Sequence, residues 1–88
     1  MVWKLQFTEI AAKQFKKLNK SIAKQLIDYL KDRVCKKEDP TLTGKPFLGD
    51  EPGLWRYRVE DYRIICKIEE KELTVLVIKL GHRKGVYD

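Results

Sequence analysis

The chain is poor in the residues from which metal and disulfide chemistry is built. It has two cysteines and one histidine among 88 residues. A zinc site needs about four well-spaced ligands, which one histidine and two distant thiols do not supply. Cys66 shares period-two parity with Ile64 and Ile68 and reads as a small buried hydrophobe. Two unpaired thiols suit a reducing compartment. No apolar run approaches the roughly 20 residues needed to span a bilayer, and no signal-peptide pattern opens the chain. A soluble cytoplasmic protein is expected, with no cofactor and no membrane partner. There is also no repeat or low-complexity segment.

What is present suits a small folded unit. Hydrophobic content is 43% and nine side chains are aromatic, which argues against disorder. The length implies one domain, residues 1–88, with little stability to spare. Net charge is +6, from 19 basic and 13 acidic side chains. Residues 1–44 carry ten basic and five acidic groups, whereas residues 45–88 carry nine and eight. Such a balance favours polyanionic partners through counterion release, without implying sequence selectivity.

Hydrophobic spacing divides the chain into six elements. Val2–Phe7 alternates and predicts a strand. Thr8 is a natural N-cap for a helix carrying Ile10, Ala11, Phe15 and Leu18 on one face. Ser21 is placed to cap a second helix that buries Ile22, Leu26, Tyr29 or Leu30, and Val34, and that ends at Asp39-Pro40. Three prolines and three glycines in the fourteen residues from Pro40 to Gly53 predict a loop, with a short extended piece near Phe47-Leu48 that ties it down. Strands follow at 54–59, 62–69 and 72–80. The last is apolar on both faces, which argues an interior position. The class is α+β, order β-α-α-β-β-β, with a two-helix hairpin on one face of an antiparallel-rich sheet.

The register carries the functional signal. With Glu60-Asp61 as a hairpin tip, Val59 pairs with Tyr62 and Arg58 lies directly across from Arg63. Like charges directly opposite one another repel, so this surface is built for an anion. A second tip at Glu70-Lys71 pairs Cys66 with Val75 and Ile64 with Val77. It places Leu73 in the core, with Trp55, Tyr57, Val59 and Tyr62. The opposite face then holds Arg56, Arg58, Arg63 and Lys67 around Ile65, Leu76 and Ile78. An apolar floor ringed by guanidinium groups suits a phosphate and a stacked base. A basic run on the helical hairpin (Lys13, Lys16, Lys17, Lys20 and Lys24) adds a candidate contact to RNA backbone.

Gly53-Leu54-Trp55-Arg56-Tyr57-Arg58-Val59, Asp61-Tyr62-Arg63-Ile64-Ile65, a Gly81-His82-Arg83 elbow and Val86-Tyr87 together resemble the RelE/ParE superfamily of bacterial toxins, in particular its RelE branch. Asp39-Pro40, Gly44-Lys45-Pro46 and Leu48-Gly49 fit the loop of the same superfamily. The resemblance spans essentially the whole chain. It implies a ribosome-dependent endoribonuclease that cuts messenger RNA in the decoding site without metal. The substrate's 2′-hydroxyl is the nucleophile and a 2′,3′-cyclic phosphate is left. It also implies a cognate antitoxin, with operator DNA bound only through that antitoxin. Carried over residue by residue, Arg56 and Arg58 match the family's paired basic positions, Arg63 and Arg83 its further arginines, and Tyr87 its tail aromatic.

One departure concerns the base. Family members often carry lysine at one of the paired positions, whereas here both are arginine, which does not deprotonate in proteins. His82 is therefore expected to supply acid–base chemistry near neutral pH. Two other readings stand beside the nuclease: a ParE-like inhibitor of DNA gyrase that catalyses nothing, and a decayed toxin that retains only antitoxin binding.

Overall fold

The computed structural model describes residues 3–48 and 52–82. The elements are β1 (Lys4–Phe7), α1 (Glu9–Lys16), α2 (Lys20–Tyr29), β2 (Lys45–Pro46), β3 (Leu54–Val59), β4 (Tyr62–Glu69) and β5 (Thr74–His82). They form one five-stranded sheet in the order β1-β5-β4-β3-β2. β1 runs parallel to β5, and the remaining pairs are antiparallel. Both helices lie on one face, so the α+β class and the helical hairpin read from the sequence are those observed.

The helices form where side chains close their ends. Thr8 caps α1, its Oγ1 accepting from the Ala11 amide at 3.1 Å. Asn19, rather than Ser21, caps α2, and its Oδ1 accepts from the Ser21 amide at 2.8 Å. An Asn oxygen reaches the amide two residues on, which makes it a strong cap at this position. Past Tyr29 the helix widens into a π-helical turn, Leu30–Cys35. That turn brings Leu30, Val34 and Cys35 together onto one buried face. Ile10, expected on the inner stripe of α1, is 64% exposed, while Ala11 and Phe15 are buried.

Ala11, Phe15, Leu26, Leu30 and Val34 pack against Tyr57, Val59, Ile64, Cys66, Val75 and Val77. This is the helix-covered face of the sheet, with Trp55, Tyr62 and Ile68 partly buried at its margin. α1 is also stitched to β5 by hydrogen bonds. Thr8 donates its hydroxyl to the Ile78 carbonyl at 2.7 Å. The Gln14 amide side chain donates to the Leu80 carbonyl at 2.9 Å and accepts from the Leu80 amide at 2.7 Å. β1 pairs with β5 only as far as Phe7↔Val77. Beyond it, Gln14 takes the place of the missing strand and satisfies backbone that would otherwise be orphaned.

The first hairpin has the register expected, Arg58↔Arg63 and Val59↔Tyr62, with Glu60 turning at φ 54°. The second differs. Its loop is Glu70–Leu73, four residues rather than two, closed by Leu73 donating its amide to Glu70 at 3.2 Å. Leu73 sits in this turn at φ 49° and is 37% exposed, outside the core. The pairing is Ile68↔Val75 and Cys66↔Val77, and a bulge at Ile65/Cys66 then gives Ile65↔Lys79 and Ile64↔Leu80. The extra residue, Ile78, moves every later residue of β5 to the opposite face. Gly81 and His82 are strand residues paired with Arg63 and Tyr62, not an elbow.

The long connection is more ordered than a loop. Pro40–Thr43 forms a 3₁₀ turn capped by Asp39, whose carboxylate accepts from the Thr41 amide at 3.0 Å and hydroxyl at 2.6 Å. Those two bonds hold the Asp39 carboxyl below its usual range. The extended piece is Lys45–Pro46, slightly earlier than expected. Phe47 is half-buried and continues it, but Leu48 is 95% exposed and anchors nothing.

Candidate functional site

In an antiparallel pair, residues directly opposite each other share a face. Arg56 pairs with Ile65 on one side and Lys45 on the other, while Arg58 pairs with Arg63. Lys45, Arg56, Arg58, Arg63, Ile65 and Lys67 therefore share the face turned away from the helices. Lys79, paired with Ile65, joins them because of the bulge. Thr43, Lys45, Arg56 and Arg58 line a cavity of about 120 Å³. Arg58 and Lys45 are exposed, whereas Arg56, Arg63 and Lys67 are half-buried.

The surface around these cations is dry at its centre. Ile65 is fully buried although it lies on the face without helices. Phe47 reaches across the same face, and the Lys79 ammonium stands 5.9 Å from the centre of its ring, within range of a cation–π contact. Nε and Nη1 of Arg63 are themselves buried. A guanidinium so placed is partly desolvated, which strengthens its field on any anion that docks. Among the described residues, Lys45, Arg56 and Arg58 make no ion pair. By contrast Lys24 and Lys36 are taken up by Asp28 at 2.6 Å and Asp32 at 3.3 Å.

His82 is not part of this assembly. It packs edge-on against Tyr62, ring centres 5.0 Å apart, on the helix-covered face. With Ile22, Gln25, Leu26, Glu60, Asp61 and Tyr62 it lines a separate cavity of about 390 Å³. The bulge is the cause: uniform alternation from Val75 would have turned position 82 outward. Lys13, Lys16, Lys17, Lys20 and Lys24 are exposed on the helical layer, behind the sheet from the arginines. The Asp28 carboxylate both binds Lys24 and raises its pKa. Arg83 and Tyr87 lie outside the described residues.

Lys45, Thr43 and Lys79 belong to the basic face but do not stand out in the sequence. Only the pairing of β2 with β3 and the β5 bulge bring them there. Among the described residues no cluster of His, Cys, Asp and Glu is arranged to hold a metal ion. The two thiols are core residues: burial pushes Cys35 up from 9.0 to about 11 and Cys66 in the same direction.

A family model described as the ParE toxin of the type II toxin-antitoxin system, parDE, matches residues 5–87. The chain belongs to that family. Toxin RelG of Mycobacterium tuberculosis (strain ATCC 25618 / H37Rv) is 24% identical over 87 residues, covering 99% of this chain and 98% of its own. Among solved structures, the RelBE2 toxin-antitoxin complex of Mycobacterium tuberculosis matches with a TM-score of 0.83 and 23% identity, over 94% of this chain and 93% of that one. The archaeal RelE-RelB complex of Pyrococcus horikoshii OT3 matches with a TM-score of 0.64 and 22% identity, over 98% of this chain and 100% of that one. The toxin thus has the RelE-like fold within the RelE/ParE superfamily. No helix among its described residues is long and apolar enough to cross a membrane.

Proposed function

We propose that the toxin is a metal-independent endoribonuclease that cleaves messenger RNA on the ribosome, and that a cognate antitoxin neutralises it. The observation that carries the reading is the alignment of Arg56, Arg58 and Arg63 on the face turned away from the helices, beside an anion-sized cavity. An inhibitor acting by surface contact alone has no need of three guanidinium groups held in register. The antitoxin partner is supported by the relatives solved as toxin–antitoxin complexes.

The chemistry asked of this face is internal transesterification. The substrate's 2′-oxygen forms a bond to the adjacent phosphorus as the bond from phosphorus to the 5′-oxygen breaks. The products are a 2′,3′-cyclic phosphate and a 5′-hydroxyl, with the 2′-hydroxyl proton lost and one gained by the leaving oxygen. Negative charge builds on the non-bridging oxygens in the transition state. Fixed arginines in a partly dry cleft favour that state over the ground state. Arg58 and Arg63 act here as electrostatic stabilisers, with Arg56 beside them on the same face, since guanidinium does not deprotonate in proteins. Arg83 and Tyr87 are proposed to complete the site, Tyr87 by stacking on a base and orienting the 2′-oxygen.

The family description names ParE, and this favours one second reading, inhibition of DNA gyrase. Two assays run in parallel decide between them. Purified toxin is added to translating ribosomes and the mRNA ends are mapped, while the same preparation is tested against gyrase supercoiling. The nuclease reading expects new mRNA ends that Arg58→Gln or Arg63→Gln reduces by about 10²–10³. Intact mRNA together with blocked supercoiling would refute it.

A further inference from the structure

We propose that Lys45 and Arg56 form a second phosphate subsite. It binds a phosphate next to the one being cleaved, while Arg58 and Arg63 hold the scissile group. The inference rests on the ribonuclease reading above and goes beyond it by naming how the RNA backbone is gripped.

The register carries the argument. Lys45↔Arg56 and Arg58↔Arg63 are two basic rungs on the same face. They are two residues apart along β3, roughly 6.8 Å in an antiparallel strand. That is about the reach of one nucleotide in an extended single strand, so consecutive phosphates fall on consecutive rungs. The cavity between Lys45, Arg56, Arg58 and Thr43 measures about 120 Å³, the room of a phosphate group with its nearest waters.

Lys45 is held in place by contacts on both sides of it. The Tyr57 hydroxyl donates to the Pro40 carbonyl at 2.6 Å. Thr43 donates its hydroxyl to the Arg33 carbonyl at 3.3 Å, and the Phe47 amide donates to the Leu54 carbonyl at 2.9 Å. Gly44 lies so close to the Tyr57 ring that a Cβ there would stand 2.7 Å from Cε1. These contacts fix the backbone from which Lys45 projects. The lysine is exposed and makes no ion pair among the described residues, so its ammonium is available to a ligand.

The test uses ribosomes programmed with mRNA bearing a single uncharged methylphosphonate, placed in turn at each phosphate flanking the cleavage point. Single-turnover cleavage is measured with wild type, Lys45→Gln and Lys45→Arg, after melting curves confirm that the exposed position leaves folding intact. On natural mRNA, Lys45→Gln is expected to slow cleavage about tenfold, the order of one charge-assisted hydrogen bond, and Lys45→Arg to recover most of it. Wild type should lose a similar factor at one of the two modified positions, where Lys45→Gln loses nothing more. Losses that multiply at both positions, or equal rates for the Gln and Arg variants, overturn the subsite alone. A wild type that leaves natural mRNA intact overturns the ribonuclease reading and the subsite with it.

Discussion

Gly44→Ala tests how the basic face is assembled. Gly44 adopts φ −112° and ψ −178°, extended backbone open to any residue. Glycine is therefore required here for space, not for conformation. An alanine Cβ would meet Cε1 and Cζ of Tyr57 at 2.7 and 3.0 Å and the Arg56 carbonyl at 3.1 Å. Relief needs a displacement of more than half an ångström from ordinary contact distances of about 3.5–4.0 Å. The Tyr57 ring cannot yield, being fully buried with its hydroxyl bound to Pro40, so the connection carrying Lys45 must move. Overpacking of this kind costs about 1–3 kcal/mol, which lowers Tm by roughly 5–20 °C in a domain of this size. Thermal and urea unfolding followed by circular dichroism measure it. The same substitution in a Tyr57→Leu background should cost little, because the ring that it strikes is gone. A Gly44→Ala protein as stable as wild type, or an equal cost in both backgrounds, would refute the argument.

His82→Gln should leave mRNA cleavage within about threefold of wild type, because His82 faces the helices with Tyr62 rather than the arginines; a loss above tenfold, near the range of lost general acid–base catalysis, would return it to the reaction. Arg56→Gln should reduce both cleavage and RNA affinity, whereas the salt dependence of binding should become shallower by about one phosphate contact; an unchanged slope of affinity against salt would show that Arg56 meets no phosphate. Burial keeps the Cys35 thiol protonated up to about 11 against its ordinary 9.0. The unfolded chain gives up that proton first, so this contribution to stability is whole below pH 9 and is lost between pH 9 and about 11. Tm should fall over that interval, and less steeply in Cys35→Ala; identical slopes would show that the thiol is not coupled to folding.

What could be read from the chain, and what could not, follows from the kind of signal each residue carries. Alternation at Trp55-Arg56-Tyr57-Arg58 and Tyr62-Arg63-Ile64 has opposite chemistry on its two faces, so a slip of one residue would bury guanidinium groups. That penalty is large enough to fix the pairing of Arg58 with Arg63 in advance. Val75-Leu76-Val77-Ile78 is apolar on both faces and carries no such penalty. A four-residue turn and an extra residue in β5 are equally compatible with it, and the bulge was therefore invisible. Its consequence is disproportionate: it turns Lys79 toward the arginines and His82 away from them. Lys45 was hidden for a different reason. A two-residue strand has no periodicity to detect, and its pairing is set by Tyr57 holding Pro40 and crowding Gly44, contacts between positions far apart in sequence. The arginines could be found because misplacing them is costly. Lys45 could be found only once the buried tyrosine beneath its connection had been located, and this is why the proposed second phosphate contact emerges from the fold and not from the motif.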